Sequence, residues 1–417
     1  MNRMITRLSR LFGVDMGYIM RGGFWLGLDN VVSVVASTIL TVVFANTIPK
    51  ETYGSYRYIL SVFGILSIAT LPNMNLALST AVAKGEDGIF KKALATRIRW
   101  GLVGGLVGIG LGVYQFAHQH LELGIAFAIM GIILPFMDSL NLYEGFLRGK
   151  KLFNIQSKYS IITRLVSTVV LIITLYQTSS VIYLLLAFFL PYIVMRLIFY
   201  RLTLRKFPTS DIKGNESTLA YGKHLSVIQL LGVLVNYLDN VLIFHYLGAV
   251  PLAIYSIAMA PIKKIQQAFS VIPDLALPKF SARSIEETKR TLPRQIGKAF
   301  VVVISGAALY ALLAPKIFST FFAQYKDSVI YSQWLTLILL ALPFSLLYTV
   351  FQAHARKKEI YIYNLSIRLS QLVLVVALVS TYGLWGAVSA RIIFQFIAVI
   401  VAVLLFKRIK DTEAKKS

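Results

Sequence analysis

Apolar residues in this chain fall into about a dozen blocks of roughly 20 residues or more, the length a helix needs to cross a bilayer. The blocks lie at about 21–46, 56–82, 97–117, 121–147, 155–176, 179–204, 221–247, 252–275, 296–316, 329–354, 360–381 and 383–406. Of the 417 residues, 57% are hydrophobic and 14% charged, a ratio that cannot cover a soluble surface. The pattern predicts an all-α, polytopic membrane protein of twelve spans.

Charge tests that count independently, because twelve spans place successive connections on alternate sides of the membrane. One side collects Arg3, Arg7, Arg10, Lys84, Lys91, Arg148, Lys150, Arg201, Arg205, Lys279, Arg283, Arg356, Lys357, Lys407 and Arg408, while the other has little beyond Lys50, Arg57, Lys316 and Lys326. Cytoplasmic loops carry the excess of Lys and Arg, so both termini are expected in the cytoplasm. The same rule accounts for the net charge of +24 without a nucleic-acid partner. No cysteine is present, which excludes disulfides, thiolate catalysis and Cys-ligated metal centres. His118-x-His120 has no acidic cluster beside it, and no metal is expected there.

Residues 1–18 read as an amphipathic interfacial helix, with Met4, Leu8, Leu11 and Phe12 on one face. The polar stretch 205–220 reads as a cytoplasmic linker between six-helix lobes at 19–204 and 221–406, and 407–417 as a basic cytoplasmic tail. An internal repeat supports two lobes. A shift of about 200 residues brings Leu71-Pro72 onto Ile272-Pro273, Leu134-Pro135-Phe136 onto Leu342-Pro343-Phe344, and Arg164-Leu165 onto Arg368-Leu369. Six is an even number, so the repeats are parallel and related by an axis along the membrane normal. That is the organisation of carriers, with a cavity at the centre.

Polar residues are costly inside a bilayer, and their spacing marks the faces that avoid lipid. The first span carries Asp29, Ser33, Ser37 and Thr41 at four-residue intervals. The second carries Arg57, the seventh Gln229, Asn236 and Asp239, and the eighth Ser256, Lys263 and Gln267. In the third span, Gly101, Gly104, Gly105, Gly108, Gly110 and Gly112 indicate close helix packing. Arg164, Arg368 and Arg391 each lie about eight residues into their helices, about 12 Å deep. Arginine stays charged and grips phosphate oxygens with two donors, so a basic cavity suits a phosphate or diphosphate headgroup. The same arginines could instead pair with Asp29, Asp138, Glu144 or Asp239. Arg196, nearer the end of its span, is expected to snorkel to the interface.

Pro49-x-Glu51-x-Tyr53-Gly54-x-Tyr56 resembles the N-terminal signature of the polysaccharide flippase (Wzx-type, O-antigen) branch of the multidrug/oligosaccharidyl-lipid/polysaccharide (MOP) exporter superfamily. Asp239-Asn240, Leu247-Gly248, Tyr255-Ser256 and Pro278-x-x-Ser281 resemble that branch's later segment, although Asn240 stands where a basic residue often follows the Asp. The resemblance implies a MATE-like fold and a flippase of the bacterial inner membrane. Such a protein moves an undecaprenyl-diphosphate-linked oligosaccharide to the outer leaflet by alternating access, among membrane lipids and other polysaccharide-assembly proteins. No cofactor is expected beyond a coupling H+ or Na+. Arg57, Arg164, Arg368, Arg391 and Lys263, with Gln229, Asn236 and Gln267, are then the headgroup candidates, and Asp29 and Asp239 the coupling carboxylates or counter-ions. A multidrug exporter of the same superfamily, a peptidoglycan-precursor flippase and a membrane-embedded glycan polymerase or transferase are the alternatives.

Overall fold

The computed structural model describes residues 16–209 and 216–409, with side chains from residue 22 onward. Most of the expected interfacial helix and tail, and part of the linker, lie outside these residues. The described chain is all helix and turn: α1 (Met16–Thr47), α2 (Lys50–Leu66), α3 (Met74–Ala83), α4 (Phe90–Ala117), α5 (Leu121–Met137), α6 (Leu142–Gly149), α7 (Phe153–Gln177), α8 (Val181–Lys206), α9 (Glu216–Leu247), α10 (Ala249–Phe269), α11 (Val271–Ser281), α12 (Ile285–Phe321), α13 (Ser328–Leu335), α14 (Ser345–Ala353) and α15 (Lys357–Arg408).

Among the described residues nine helices are long and apolar enough to cross a membrane, and the bent pair formed by Lys50–Thr70 and α3 makes a tenth. Two features bring this to the twelve spans expected. Helix α15 has 52 residues, about 78 Å at 1.5 Å per residue, more than two hydrocarbon thicknesses. It contains Gly383 at φ 57, ψ −133, where two helices meet at the boundary between the apolar blocks 360–381 and 383–406. Helices α10 and α11 together form the remaining span, made more polar than the others by Lys263, Lys264, Gln266 and Gln267.

The prolines picked out by the repeat sit at matching distortions. A short 3-10 turn at Ser67–Thr70 and a left-handed Leu71 (φ 54) precede Pro72 and bend the α2–α3 span by 41°. Pro273 follows the junction of α10 and α11. Pro135 lies near the end of α5, before a 3-10 turn and α6, and Pro343 lies in the 3-10 stretch Thr336–Phe344 before α14. Proline removes one helical hydrogen bond and crowds the preceding turn, so each pair breaks its span at a corresponding place.

The chain divides into two compact units. The first takes the described residues up to Ile48 together with Ile59–Val233, and the second takes Pro49–Tyr58 together with Leu234 onward. In the first unit the glycine face of α4 packs on α5 as its spacing predicts: a Cβ on Gly105 would stand 2.5 Å from the Gly131 carbonyl oxygen. Gly110 is the exception, with open space around it. A core of Leu71, Met74, Leu78, Phe90, Tyr143, Phe146 and Phe199 fills the other end.

Segment 49–58 is anchored within the second unit by contacts that explain the signature it carries. Gly54 lies so close to α10 that a Cβ built there would overlap the Ala249 carbonyl oxygen. Tyr53 meets Tyr325 edge to face at 6.4 Å, Tyr58 stacks on Phe244 at 3.9 Å, and Lys50 pairs with Asp327 at 3.2 Å. The interval 276–295 between the eighth and ninth apolar blocks is helical at both ends, because α11 continues to Ser281 and α12 already begins at Ile285. Ser284 caps α12 by accepting a hydrogen bond from the Glu287 amide at 3.1 Å, the Ser-x-x-Glu pattern of a helix start.

Candidate functional site

Three carboxylates of the spans hold arginines, and each pair closes within one unit. In the second unit Asp239 of α9 accepts through one oxygen, Oδ2, from Arg391 Nη2 at 2.6 Å, Arg391 Nε at 2.9 Å and the Tyr255 hydroxyl at 2.8 Å. The Asp239 side chain is 2% exposed and that of Arg391 14%. The other oxygen, Oδ1, is buried without a hydrogen-bond partner among the described residues. Arg391 thus supplies, from another helix, the basic neighbour that Asn240 does not.

In the first unit Asp29 and Ser33 of α1 face Ser160 and Arg164 of α7, each pair one helical turn apart. Arg164 Nη1 donates to Ser33 Oγ at 2.6 Å, and Nη2 approaches Asp29 Oδ1 at 3.8 Å, while Ser160 donates to the same carboxylate at 3.0 Å. This pair is looser and wetter than the other, with side chains 29% and 21% exposed.

Further basic residues serve the helix breaks. Arg97, at the start of the third apolar block, is 2% exposed and donates from Nε to the Thr70 carbonyl at 2.7 Å. That carbonyl ends the 3-10 turn in the bent α2–α3 span. Arg196 corrects the expectation of snorkelling: its Nη1 donates to the Met137 carbonyl at the end of α5 and lies 3.3 Å from Asp138 Oδ1. An interrupted helix leaves carbonyls that lipid cannot satisfy, and a buried guanidinium with five donors can.

The remaining candidates separate by unit. Gln229 lies in the first unit, where its side-chain oxygen accepts from Asn73 at 2.6 Å. Arg57, Asn236, Lys263, Gln267 and Arg368 lie in the second. Asn236 is exposed, and Gln267 is half-buried. Arg368 sits on α15 between Asn364, which donates to the Tyr348 hydroxyl, and Gln371, which donates to the Val235 carbonyl. Those neighbours put Arg368 on the inward face, yet it forms no ion pair among the described residues and its Nη1 is buried without a partner. Lys263 is exposed, also outside any ion pair among the described residues, and close enough to Arg57, Asp239 and Arg391 to feel their charges.

In the second unit Lys263 thus lies near two further cations, Arg57 and Arg391, and near Asp239, which already binds Arg391. An anion with several oxygens would suit Lys263, which forms no ion pair among the described residues. Tyr255, which hydrogen-bonds to both members of the buried pair, was visible in the sequence only within a short motif. Among the described residues no group of three or more His, Cys, Asp and Glu could hold a metal ion.

Residues 19–282 match the family described as "Polysaccharide biosynthesis protein". No curated protein matches the chain. Among solved structures, it is similar to lipid II flippase MurJ in an inward closed conformation, at 15% identity and TM-score 0.66, covering 93% of this chain and 87% of that one. It is also similar to the inward-facing conformation of a multidrug resistance MATE family transporter of the MOP superfamily, at 17% identity, TM-score 0.61 and coverage of 90% and 94%. A MOP superfamily transporter from Pyrococcus furiosus, whose binding pocket has reversed polarity, matches at 17% identity and TM-score 0.52, with 93% and 94% covered. These likenesses establish the MOP-type transporter fold.

Proposed function

Because the chain belongs to the polysaccharide biosynthesis protein family, we propose that it is a flippase, which moves an undecaprenyl-diphosphate-linked oligosaccharide from the inner to the outer leaflet of the bacterial plasma membrane. The observation that carries this reading is Lys263 of the second unit, which is exposed, lies near Arg57 and the Arg391–Asp239 pair, and forms no ion pair among the described residues. A diphosphate offers several anionic oxygens to such a group, and charge-assisted hydrogen bonds to them are the strong ones. Lys263 and Arg57 receive the headgroup in this scheme, Arg368 and Arg391 extend the basic surface, and Asn236 and Gln267 hydrogen-bond the first sugars. Arg164 and Gln229 provide the corresponding polar surface in the first unit.

Alternating exposure of these surfaces carries the headgroup across while the polyprenyl chain stays in lipid. The substrate leaves chemically unchanged, so the protein is a transporter and not an enzyme. Asp29 and Asp239 are the coupling carboxylates for H+ or Na+, Asp239 through its unpartnered Oδ1. Both termini are cytoplasmic in this scheme, where substrate is handed over by other polysaccharide-assembly proteins. Similarity to a lipid II flippase supports the substrate class, and the basic surplus disfavours the organic cations of a multidrug exporter.

Binding of an undecaprenyl-diphosphate oligosaccharide to the purified protein tests the headgroup assignment. Lys263→Gln is expected to weaken binding at least tenfold, about 1.4 kcal/mol, with Lys264→Gln near wild type. Equal binding of the same glycolipid lacking its diphosphate would overturn it.

A further inference from the structure

The early start of α12 builds a groove in the second unit that the proposed transport does not use. It has a volume of about 620 Å³, within the roughly 300–1,000 Å³ of ligand sites. Phe300 of α12, Phe344 of the 3-10 stretch before α14 and Phe406 of α15 form part of an apolar lining, to which Lys289 and Lys407 add two cations. Gly297 opens the floor: a Cβ built there meets nothing within 4 Å.

We propose that this groove binds an anionic phospholipid, with one acyl chain along the aromatic wall and the headgroup phosphate between Lys289 and Lys407. The inference rests on the membrane-spanning fold and not on the transport reading.

Three observations lead to that occupant. The two lysines come from opposite ends of different helices, the fifth residue of α12 and the penultimate residue of α15, and converge on one apolar space. Neither forms an ion pair with a carboxylate among the described residues; Lys289 gives one of its three donors to the Ile409 carbonyl, leaving two. Arg290, Arg294, Lys298 and Arg408 lie on the same two segments, and such basic pockets between membrane helices suit lipid headgroups. Beyond the groove α12 exposes Val301 and Val302, 62% and 71% accessible, as a helix facing hydrocarbon does. An occupant entering from that side must be apolar and free of unsatisfied backbone groups, which favours an acyl chain over a peptide segment.

The test uses full-length protein in nanodiscs of mixed phosphatidylglycerol and phosphatidylethanolamine, with retained lipid identified by native mass spectrometry after release into detergent. Wild type is expected to retain phosphatidylglycerol at roughly tenfold above its share, the scale two lysines near a lipid surface can supply. Lys289→Gln with Lys407→Gln should abolish the preference by removing charge. Gly297→Phe should abolish it by filling the groove with the charges intact, and a glycine replaced within a helix does not weaken the helix itself. Gly306→Phe, also on α12 and also in open space, should retain the lipid and so separates groove filling from misfolding. Undiminished phosphatidylglycerol in Gly297→Phe would overturn the site, as would loss of lipid in both glycine variants. Retention from native membranes of a polyprenyl phosphate in place of phospholipid would overturn the occupant.

Discussion

Replacing Asp239 with alanine removes the acceptor of three hydrogen bonds at once, at 2.6, 2.9 and 2.8 Å, and leaves the Arg391 guanidinium without its counter-charge where only 14% of the side chain is exposed. Breaking a buried pair by deleting one partner costs about 3–5 kcal/mol, most of it the penalty for the stranded charge. The Asp29–Arg164 pair provides the contrast within the same protein. Its closest approach is 3.8 Å, its side chains are 29% and 21% exposed, and Arg164 keeps its bond to Ser33. Asp29→Ala should therefore cost at most about 1 kcal/mol. The assay is equilibrium unfolding of the purified protein in mixed micelles, followed by tryptophan fluorescence. The double variant Asp239→Ala with Arg391→Met should recover most of the loss, because it removes the stranded charge along with its partner. The reasoning is refuted if Asp239→Ala is no more destabilising than Asp29→Ala, or if the second substitution deepens the loss.

Gly54→Ala should greatly reduce the yield of monodisperse protein in size-exclusion chromatography, since its methyl group would overlap the Ala249 carbonyl; Gly110→Ala, in open space, should leave the profile unchanged. Arg97→Met deprives the Thr70 carbonyl of its donor and should cost about 1–3 kcal/mol in the same unfolding assay. Arg368→Gln should lower affinity for the diphosphate-linked glycolipid without changing stability by more than about 0.5 kcal/mol, because the residue has no ion pair to lose among the described residues.

Much of the fold could be read from the chain because the bilayer imposes a simple rule, a long apolar helix for each crossing. The glycine face of α4 and the boundary between spans at Gly383 were legible for the same reason, since each acts through local geometry, whereas the prolines were legible as a repeat and not as breaks in the spans. Hydropathy gave no warning that α12 starts at Ile285, because its first turns are amphipathic and balance Ile285, Leu292 and Ile296 against Lys289, Arg290 and Arg294. Nor did it place segment 49–58 in the second unit, whose contacts with Phe244, Ala249 and Tyr325 join residues far apart in sequence.

The candidate site was legible in residue type but not in partnership. Asp29 with Arg164 and Asp239 with Arg391 were among the pairings that charge alone permitted, and only the tertiary fold selects them, while Asp138 pairs with Arg196, which was expected at the interface. The role of Arg97 was hidden because its partner is a backbone carbonyl released by a bend, which leaves no mark in side-chain chemistry.

The most direct test of the flippase reading is transbilayer movement in proteoliposomes carrying an undecaprenyl-diphosphate oligosaccharide, with the outer pool sampled by an impermeant lectin. Wild-type protein should speed the appearance of chemically intact glycolipid, and the combined Lys263→Gln and Arg368→Gln variant should bring the rate back toward that of protein-free vesicles. Glycolipid that stays on its own side with wild-type protein, or that emerges cleaved or extended, would contradict the account.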